Sequence, residues 1–252
     1  MIYAIIPARF GSTRLPGKPL LDSTGKPLIQ HVYEAVKSCA LIDEVIVATD
    51  HTDIMNAVIS FGGKSVMTSA DHATGTDRIW EAAKALDVKP TDIIINVQGD
   101  EPEINADDLT ALITVQKTSD PIMSTLACKI SNITSDPNSL IDDPNAVKVV
   151  LSKTSASAFP KALYFSRAPI PYQRGEAHRP SYLHIGLYAF TGDSLKTFCD
   201  LPKSELELCE SLEQLRALEN GFDICVAEVK SANSGIDTPQ DYAAFVKRYK
   251  PA

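Results

Sequence analysis

The N-terminal segment gathers residue types that bind anions. Arg9, Gly11, Ser12, Thr13, Arg14, Gly17 and Lys18 follow directly on an apolar run, Ile2 to Ile6. Small residues free backbone N–H groups to wrap phosphate oxygens, and Arg and Lys neutralise them. Three cations so close together stand out in a chain of net charge −8. The plain alternative is a solvated turn after a strand. The spacing is not that of a Walker loop, since Pro19 follows Lys18, nor that of a dinucleotide fingerprint.

Two acidic positions stand out further along. In Asn96-Val97-Gln98-Gly99-Asp100-Glu101-Pro102 an apolar strand delivers Gln98 and Asp100 at its end. A carboxylate there suits Mg²⁺, a hard cation that takes oxygen ligands and holds phosphate. The competing reading is a turn carboxylate that caps the next helix, and Glu101 fits that better than Asp100 does. Asp237 precedes Thr238-Pro239, a sound helix start with Thr at the cap and Pro in the first turn. Helix initiation alone would explain it.

Hydroxyl and polar clusters complete the inventory. Met67 to Arg78 brings Thr68, Ser69, Thr74, Gly75, Thr76 and Arg78 before a helix. Such a loop suits backbone contacts to a flat base edge, but Thr74 or Thr76 also serves as a plain N-cap, and Thr76 is the better cap candidate. Arg167 follows an apolar strand and offers a bidentate partner for a carboxylate; a surface Arg at a strand end is the common alternative. His184, Gly186 and Tyr188 alternate and so share one strand face. Glu210, Glu213 and Gln214 cluster on one side of a helix, where a solvated face is the ordinary reading.

The elements that must position these groups alternate. Leu28 to Ser38, Asp53 to Phe61 and Thr76 to Leu86 have helical periodicity. Glu44 to Ala48, Lys64 to Met67 and Ile93 to Val97 read as strands. The alternation predicts an α/β domain with a largely parallel sheet, whose ligands lie beyond the carboxyl ends of the strands. The polar clusters after Ile6, Val47, Met67 and Val97 fall there. The second half reads as strands at Pro121 to Ile130, Ala146 to Leu151, Ala162 to Phe165, His184 to Phe190 and Ile224 to Val229. A long helix runs from Glu205 to Glu219, and Gln240 to Tyr249 closes the chain. A smaller mixed β lobe is expected at about 120–190 within one domain, 1–252.

The chain has 252 residues, 44% of them hydrophobic, enough for one large domain with a lobe. The acidic balance argues against nucleic-acid or anionic-membrane partners. The five cysteines are scattered without metal-ligand spacing, which reads as reduced thiols in the cytoplasm. No signal-peptide pattern and no run of about 18 apolar residues is apparent.

The run Pro7-Ala8-Arg9 with Ser12-Thr13-Arg14-Leu15-Pro16-Gly17-Lys18-Pro19-Leu20 resembles the nucleotide-binding signature of sugar nucleotidyltransferases. More narrowly, it resembles the 3-deoxy-manno-octulosonate (Kdo) cytidylyltransferases. The resemblance extends in order through Gln98–Asp100, Asn145–Val150, Tyr164–Arg167, Glu213–Arg216 and Asp237–Pro239. It implies a Rossmann-like, nucleotide-diphospho-sugar transferase type of fold. The implied reaction transfers CMP from CTP to the anomeric hydroxyl of Kdo, with release of pyrophosphate, for lipopolysaccharide biosynthesis. Lys18, Asp100 and Asp237 are the implied catalytic residues, and the two aspartates, 137 positions apart, the Mg²⁺ ligands. Ala8, Arg9, Arg14, Lys18, Thr74, Gly75 and Arg78 would bind the nucleotide. Gln98, Arg167, His184, Tyr188, Glu213 and Gln214 would bind the sugar. A homodimer through the lobe is implied as well. Leu183, a lengthened region at 132–144 and a shortened loop at 172–182 depart from the family pattern near the sugar residues. They leave 8-amino-Kdo or a sialic acid as alternative acceptors. A nucleotide-binding sensor without turnover is the rival of a different class.

Overall fold

The computed structural model describes residues 1–11, 15–134, 136–152, 158–174, 180–232 and 235–249. The chain divides into two compact units, Met1–Thr110 with Asn233–Ala252, and Ala111–Ala232. The stretch about 120–190 falls inside the second unit, which continues to Ala232.

The first unit alternates as its periodicity demands. It runs β1 (Ile2–Ala8), α1 (Leu28–Lys37), β2 (Glu44–Thr49), α2 (Thr52–Ser60), β3 (Lys64–Met67), α3 (Gly75–Ala85) and β4 (Ile93–Asn96). The strands lie in the order β3-β2-β1-β4, and each of these pairings is parallel. Ile5, Ile6, Val47, Ile94 and Ile95 are fully buried, as expected of parallel strands covered on both faces. All four strands therefore end on one edge, and the loops after Ala8, Thr49, Met67 and Asn96 collect there.

Strand β1 does not stop before Pro7. It continues through Pro7, opposite Ala48, to Ala8, opposite Thr49. Its pairing with β4 ends at Ile5 opposite Asn96. The side on which Pro7 lacks an N–H thus faces no further ladder partner, and the proline costs no sheet hydrogen bond.

Helix α4 (Ala106–Ser119) leads the chain from the first unit into the second. The sequence reading assigned no element there. Asn105 caps it, accepting the Asp108 N–H at 2.8 Å.

The second unit contains β5 (Met123–Lys129), α5 (Pro137–Ile141), β6 (Lys148–Ser152), β7 (Lys161–Ser166), β8 (Tyr182–Thr191), α6 (Gly192–Asp200), α7 (Glu205–Glu210), α8 (Leu215–Glu219) and β9 (Ile224–Val229). Its strands follow the order β8-β5-β9-β7-β6, and β6 pairs back onto β8, so the sheet closes on itself. Among the described residues β5 and β9 run parallel, and the other pairings of this unit are antiparallel. Phe165, Phe190 and Phe198 are fully buried in this unit.

The single helix expected from Glu205 to Glu219 is two. Ser211 adopts a left-handed φ of 52° after α7 and breaks it. Leu208 is 63% exposed, whereas Glu207 and Arg216 are buried as an ion pair. Glu207 completes a capping box with Ser204, which fixes which face turns inward.

The chain returns to the first unit with α9 (Pro239–Tyr249). Phe245 of α9 packs with Leu15, Leu28 and Ile236 in one apolar cluster. Among the described residues no helix is long and apolar enough to cross a membrane.

Candidate active site

The carboxyl edge of the first unit's sheet carries a cleft of about 360 Å³. Ala8, Arg9 and Lys18 line one part of it, Thr74, Gly75 and Arg78 another, and Gln98, Asp100 and Asp237 a third. The fold thus assembles most of the nucleotide and metal residues expected from sequence. Arg14 lies outside the described residues.

Lys18 stands at the centre. Gly17 takes a left-handed φ of 65° and starts a 3₁₀ turn over Lys18–Leu20. A residue with a Cβ is strained there, so glycine sets the direction of Lys18. Its Nζ donates to Asp100 Oδ2 at 2.7 Å, to the Ile236 carbonyl at 2.8 Å and to Asp237 Oδ1 at 3.3 Å. The Ile236 N–H donates to the Asp100 carbonyl at 2.8 Å, tying the two aspartate-bearing loops together. Neighbouring Glu101 is pushed up to about 7, first by burial, then by the charges of Asp100 and Asp237, with Lys18 opposing. It is a third carboxylate in this field rather than the simple capping group its position suggested.

The two aspartates converge on one cation, which is the arrangement a divalent ion also demands. Among the described residues no three His, Cys, Asp or Glu side chains are grouped to hold a metal. A pair of hard oxygen donors still fits Mg²⁺, which binds through one or two carboxylates and takes the rest of its shell from water and substrate phosphates.

Two glycines allow the backbone to crowd at the cleft floor. A Cβ on Gly99 would lie 2.8 Å from the Pro7 carbonyl oxygen, and one on Gly75 would lie 3.2 Å from Pro7 Cγ. Thr74, not Thr76, caps α3: its hydroxyl oxygen accepts the Asp77 N–H at 3.1 Å. Thr76 is buried in the first turn, accepting from Asn96 Nδ2 at 3.3 Å. Arg78 is buried, donating to Thr68 Oγ1 at 2.7 Å and to Asp50 Oδ2 at 2.9 Å. Asp50 also accepts the Phe10 N–H at 3.2 Å, so one carboxylate holds both the helix and the loop after β1. Sequence reading missed Asp50 as a site residue, although it stands just after β2, where ligands gather.

The expected sugar residues other than Gln98 belong to the second unit. His184, Tyr188 and Glu213 are brought near one another. The His184 and Tyr188 rings lie 5.6 Å apart, and burial, then the charge of Glu213, raises the Tyr188 hydroxyl. His184 keeps intermediate exposure as a residue, but Phe165, Tyr188 and Thr125 enclose its ring. That desolvation lowers it to about 3. The single Thr125 proton is directed to backbone carbonyls, the nearer being Leu187 at 2.8 Å, so His184 Nε2 at 3.0 Å is the donor to Thr125 Oγ1. Gln214 is buried on the turn that starts α8, and its Nε2 has no hydrogen-bond partner among the described residues.

Arg167 is differently employed from the expectation of a carboxylate fork. Three of its N–H groups go to backbone carbonyls: Nε to Glu210 at 2.7 Å, and the terminal nitrogens to Pro144 at 2.9 Å and Ser211 at 3.4 Å. Glu210 answers through its carboxylate, accepting from the Ser166 hydroxyl and the Arg167 N–H. Lys148, fully buried on β6, donates to the carbonyls of Asp143 and Arg167 at 2.8 and 2.7 Å, and burial lowers its basicity. No periodicity rule reveals such a lysine inside an apolar strand.

Comparison with known proteins places these features in a family. A cytidylyltransferase family model matches residues 3–224. A 3-deoxy-manno-octulosonate cytidylyltransferase of Syntrophobacter fumaroxidans is 46% identical, covering 97% of this chain and 95% of that protein. An 8-amino-3,8-dideoxy-manno-octulosonate cytidylyltransferase of Shewanella pealeana is 45% identical, with 95% of each covered. The solved structure of a CMP:2-keto-3-deoxy-manno-octonic acid synthetase complexed with CTP superposes with a TM-score of 0.87 at 42% identity, covering 98% of this chain and 97% of that one. On the strength of these matches, the chain belongs to the 3-deoxy-manno-octulosonate cytidylyltransferase family.

Proposed function

We propose that this protein transfers CMP from CTP to the anomeric hydroxyl of Kdo, giving CMP-Kdo and pyrophosphate. The observation that carries the reading is the convergence of Lys18, Asp100 and Asp237 in one cleft with Ala8, Arg9, Thr74, Gly75 and Arg78. Near-full-length relatives of the same named activity support it. The parallel β3-β2-β1-β4 sheet supports a Rossmann-like placement of the nucleotide at the strand ends.

Catalysis in this site is positioning and charge neutralisation. Lys18 and Arg9, with Arg14, offset the charge that gathers on the departing pyrophosphate. Arg78, held by Asp50, shapes the wall beside the Thr74–Gly75 turn, where backbone groups meet the base. Mg²⁺, held by Asp100 and Asp237, would supply Lewis-acid polarisation at the α-phosphate. His184, Tyr188, Glu213, Gln214 and Arg167, with Gln98 of the first unit, are assigned to the acceptor sugar. Arg167 acts in part by ordering the turn at Glu210–Ser211. The product would feed lipopolysaccharide biosynthesis in the cytoplasm, and the active species would be a homodimer.

A second acceptor deserves an assay because relatives named for 8-amino-Kdo are about as similar. An acceptor amine would need an acidic neighbour. Glu210, which accepts from Ser166 and Arg167, and Glu213, beside Tyr188, are the candidates. Pyrophosphate release is to be measured with CTP and Mg²⁺ while Kdo and 8-amino-Kdo are offered separately. Turnover chiefly with Kdo supports the proposal. A preference for the amine moves the acceptor, and CTP binding with no turnover on either refutes the transferase reading.

A further inference from the structure

Asp237 is 45% exposed in its side chain and sits on a loop, so its aim depends on how its backbone is held. On one side Ile236 anchors it. The Ile236 N–H meets the Asp100 carbonyl, its carbonyl meets Lys18 Nζ, and its side chain is buried against Leu15, Leu28 and Phe245. On the other side a single carboxylate oxygen, Asp241 Oδ2, gathers three donors. These are the Thr238 hydroxyl at 2.7 Å, the Thr238 N–H at 2.8 Å and the Asp237 N–H at 3.2 Å. Thr238 Oγ1 returns a bond by accepting the Asp241 N–H at 3.2 Å.

A reciprocal capping box explains the two backbone bonds between Thr238 and Asp241. It does not call for the bond to Asp237, which lies one residue before the cap. That extra bond reaches the residue whose Oδ1 points at Lys18. We infer that Asp241 is a positioning residue: it fixes the backbone of Asp237 and thereby the direction of its carboxylate toward the cation it shares with Asp100. The inference rests on the reading that Asp100 and Asp237 hold Mg²⁺.

The test uses Mn²⁺ as a probe, its binding to the full chain measured by water-proton relaxation without substrate. Asp241→Ala is expected to weaken Mn²⁺ binding roughly 10-fold or more, the usual effect of losing a group that orients a ligand. Asp241→Asn keeps an oxygen that can accept the same bonds and restores the affinity. Ala244→Gly, at an exposed position of α9, weakens the helix without touching the cap. It should lower the melting temperature to a similar degree and leave Mn²⁺ affinity unchanged. Wild-type affinity in Asp241→Ala, or an equal loss in Ala244→Gly, overturns the inference and leaves the metal reading intact. If Asp237→Ala binds Mn²⁺ as the wild type does, the metal reading falls and the inference with it.

Discussion

Lys18 Nζ lies 2.7 Å from Asp100 Oδ2, across 82 positions of sequence, and the same ammonium reaches Asp237. One side chain thus offsets the repulsion of two like charges that the fold forces together. Replacing Lys18 by Met should lower turnover by roughly 10²-fold or more, as loss of a preorganised charge does. It should also lower thermal stability without metal, and added Mg²⁺ should raise the melting temperature more in the variant than in the wild type. Equal Mg²⁺ shifts in melting curves would refute this account of Lys18.

Arg78 and Asp50 form an ion pair whose side chains are 4% and 13% exposed. Arg78→Met leaves Asp50 without its strongest donor, and breaking such a buried pair costs about 3–5 kcal/mol. The expected result in urea denaturation is a loss of that order. Because α3 and the loop after β1 are both held by Asp50, KM for CTP should rise in the same variant. A stable variant with unchanged KM would contradict the assignment.

His184 makes a prediction about pH. Its ordinary value of 6.5 falls to about 3 in the folded chain because burial disfavours the charged ring. The unfolded chain therefore takes up the proton first. The stability this group contributes is complete above about pH 6.5 and is lost as pH falls toward 3. Between pH 7.5 and pH 5 the loss should be about 2 kcal/mol. His184→Gln lacks this slope, so the stability difference between wild type and variant should move by that amount across the interval. Denaturant curves at both pH values measure it.

Gly99→Ala would place a methyl group 2.8 Å from the Pro7 carbonyl oxygen. That oxygen is backbone and cannot swing aside. We expect about 1–3 kcal/mol of destabilisation, typical of overpacking, together with a fall in kcat/KM from displacement of the adjacent Asp100. Gly11→Ala, where nothing lies within 4 Å of the added carbon, is the matched control for stability.

Much of this was legible because local rules and tertiary structure agree. Strands β3 and β9 have the bounds that the sequence suggested, and β1, β2 and β4 needed only small shifts. Helix α4 escaped because its faces contrast weakly in chemistry: Gln116 is buried with Leu109, Leu112 and Ile113, while Thr110, Thr114 and Thr118 share the exposed face with Asp107 and Lys117. The break after α7 escaped because a serine, not a glycine, takes the left-handed turn. Lys18 and Asp100 drew notice through local features, a basic Gly-rich loop and an acidic strand end, but their roles came from the family resemblance. Asp50, Lys148 and Asp241 drew none, since their roles depend on partners that only the fold supplies.

The return of β6 onto β8 has a consequence for assembly. A strand with a neighbour on each side offers no row of unused N–H and C=O groups to another chain. Strand β5 is flanked along its length by β8 and β9, and the β6–β8 pairing covers Lys148 and Val149 of β6, which narrows the template for edge-to-edge aggregation and for strand exchange. Two copies, were they to pair through this unit, would then meet chiefly by packing side chains across its outer faces. Their association would answer to surface substitutions more than to backbone register.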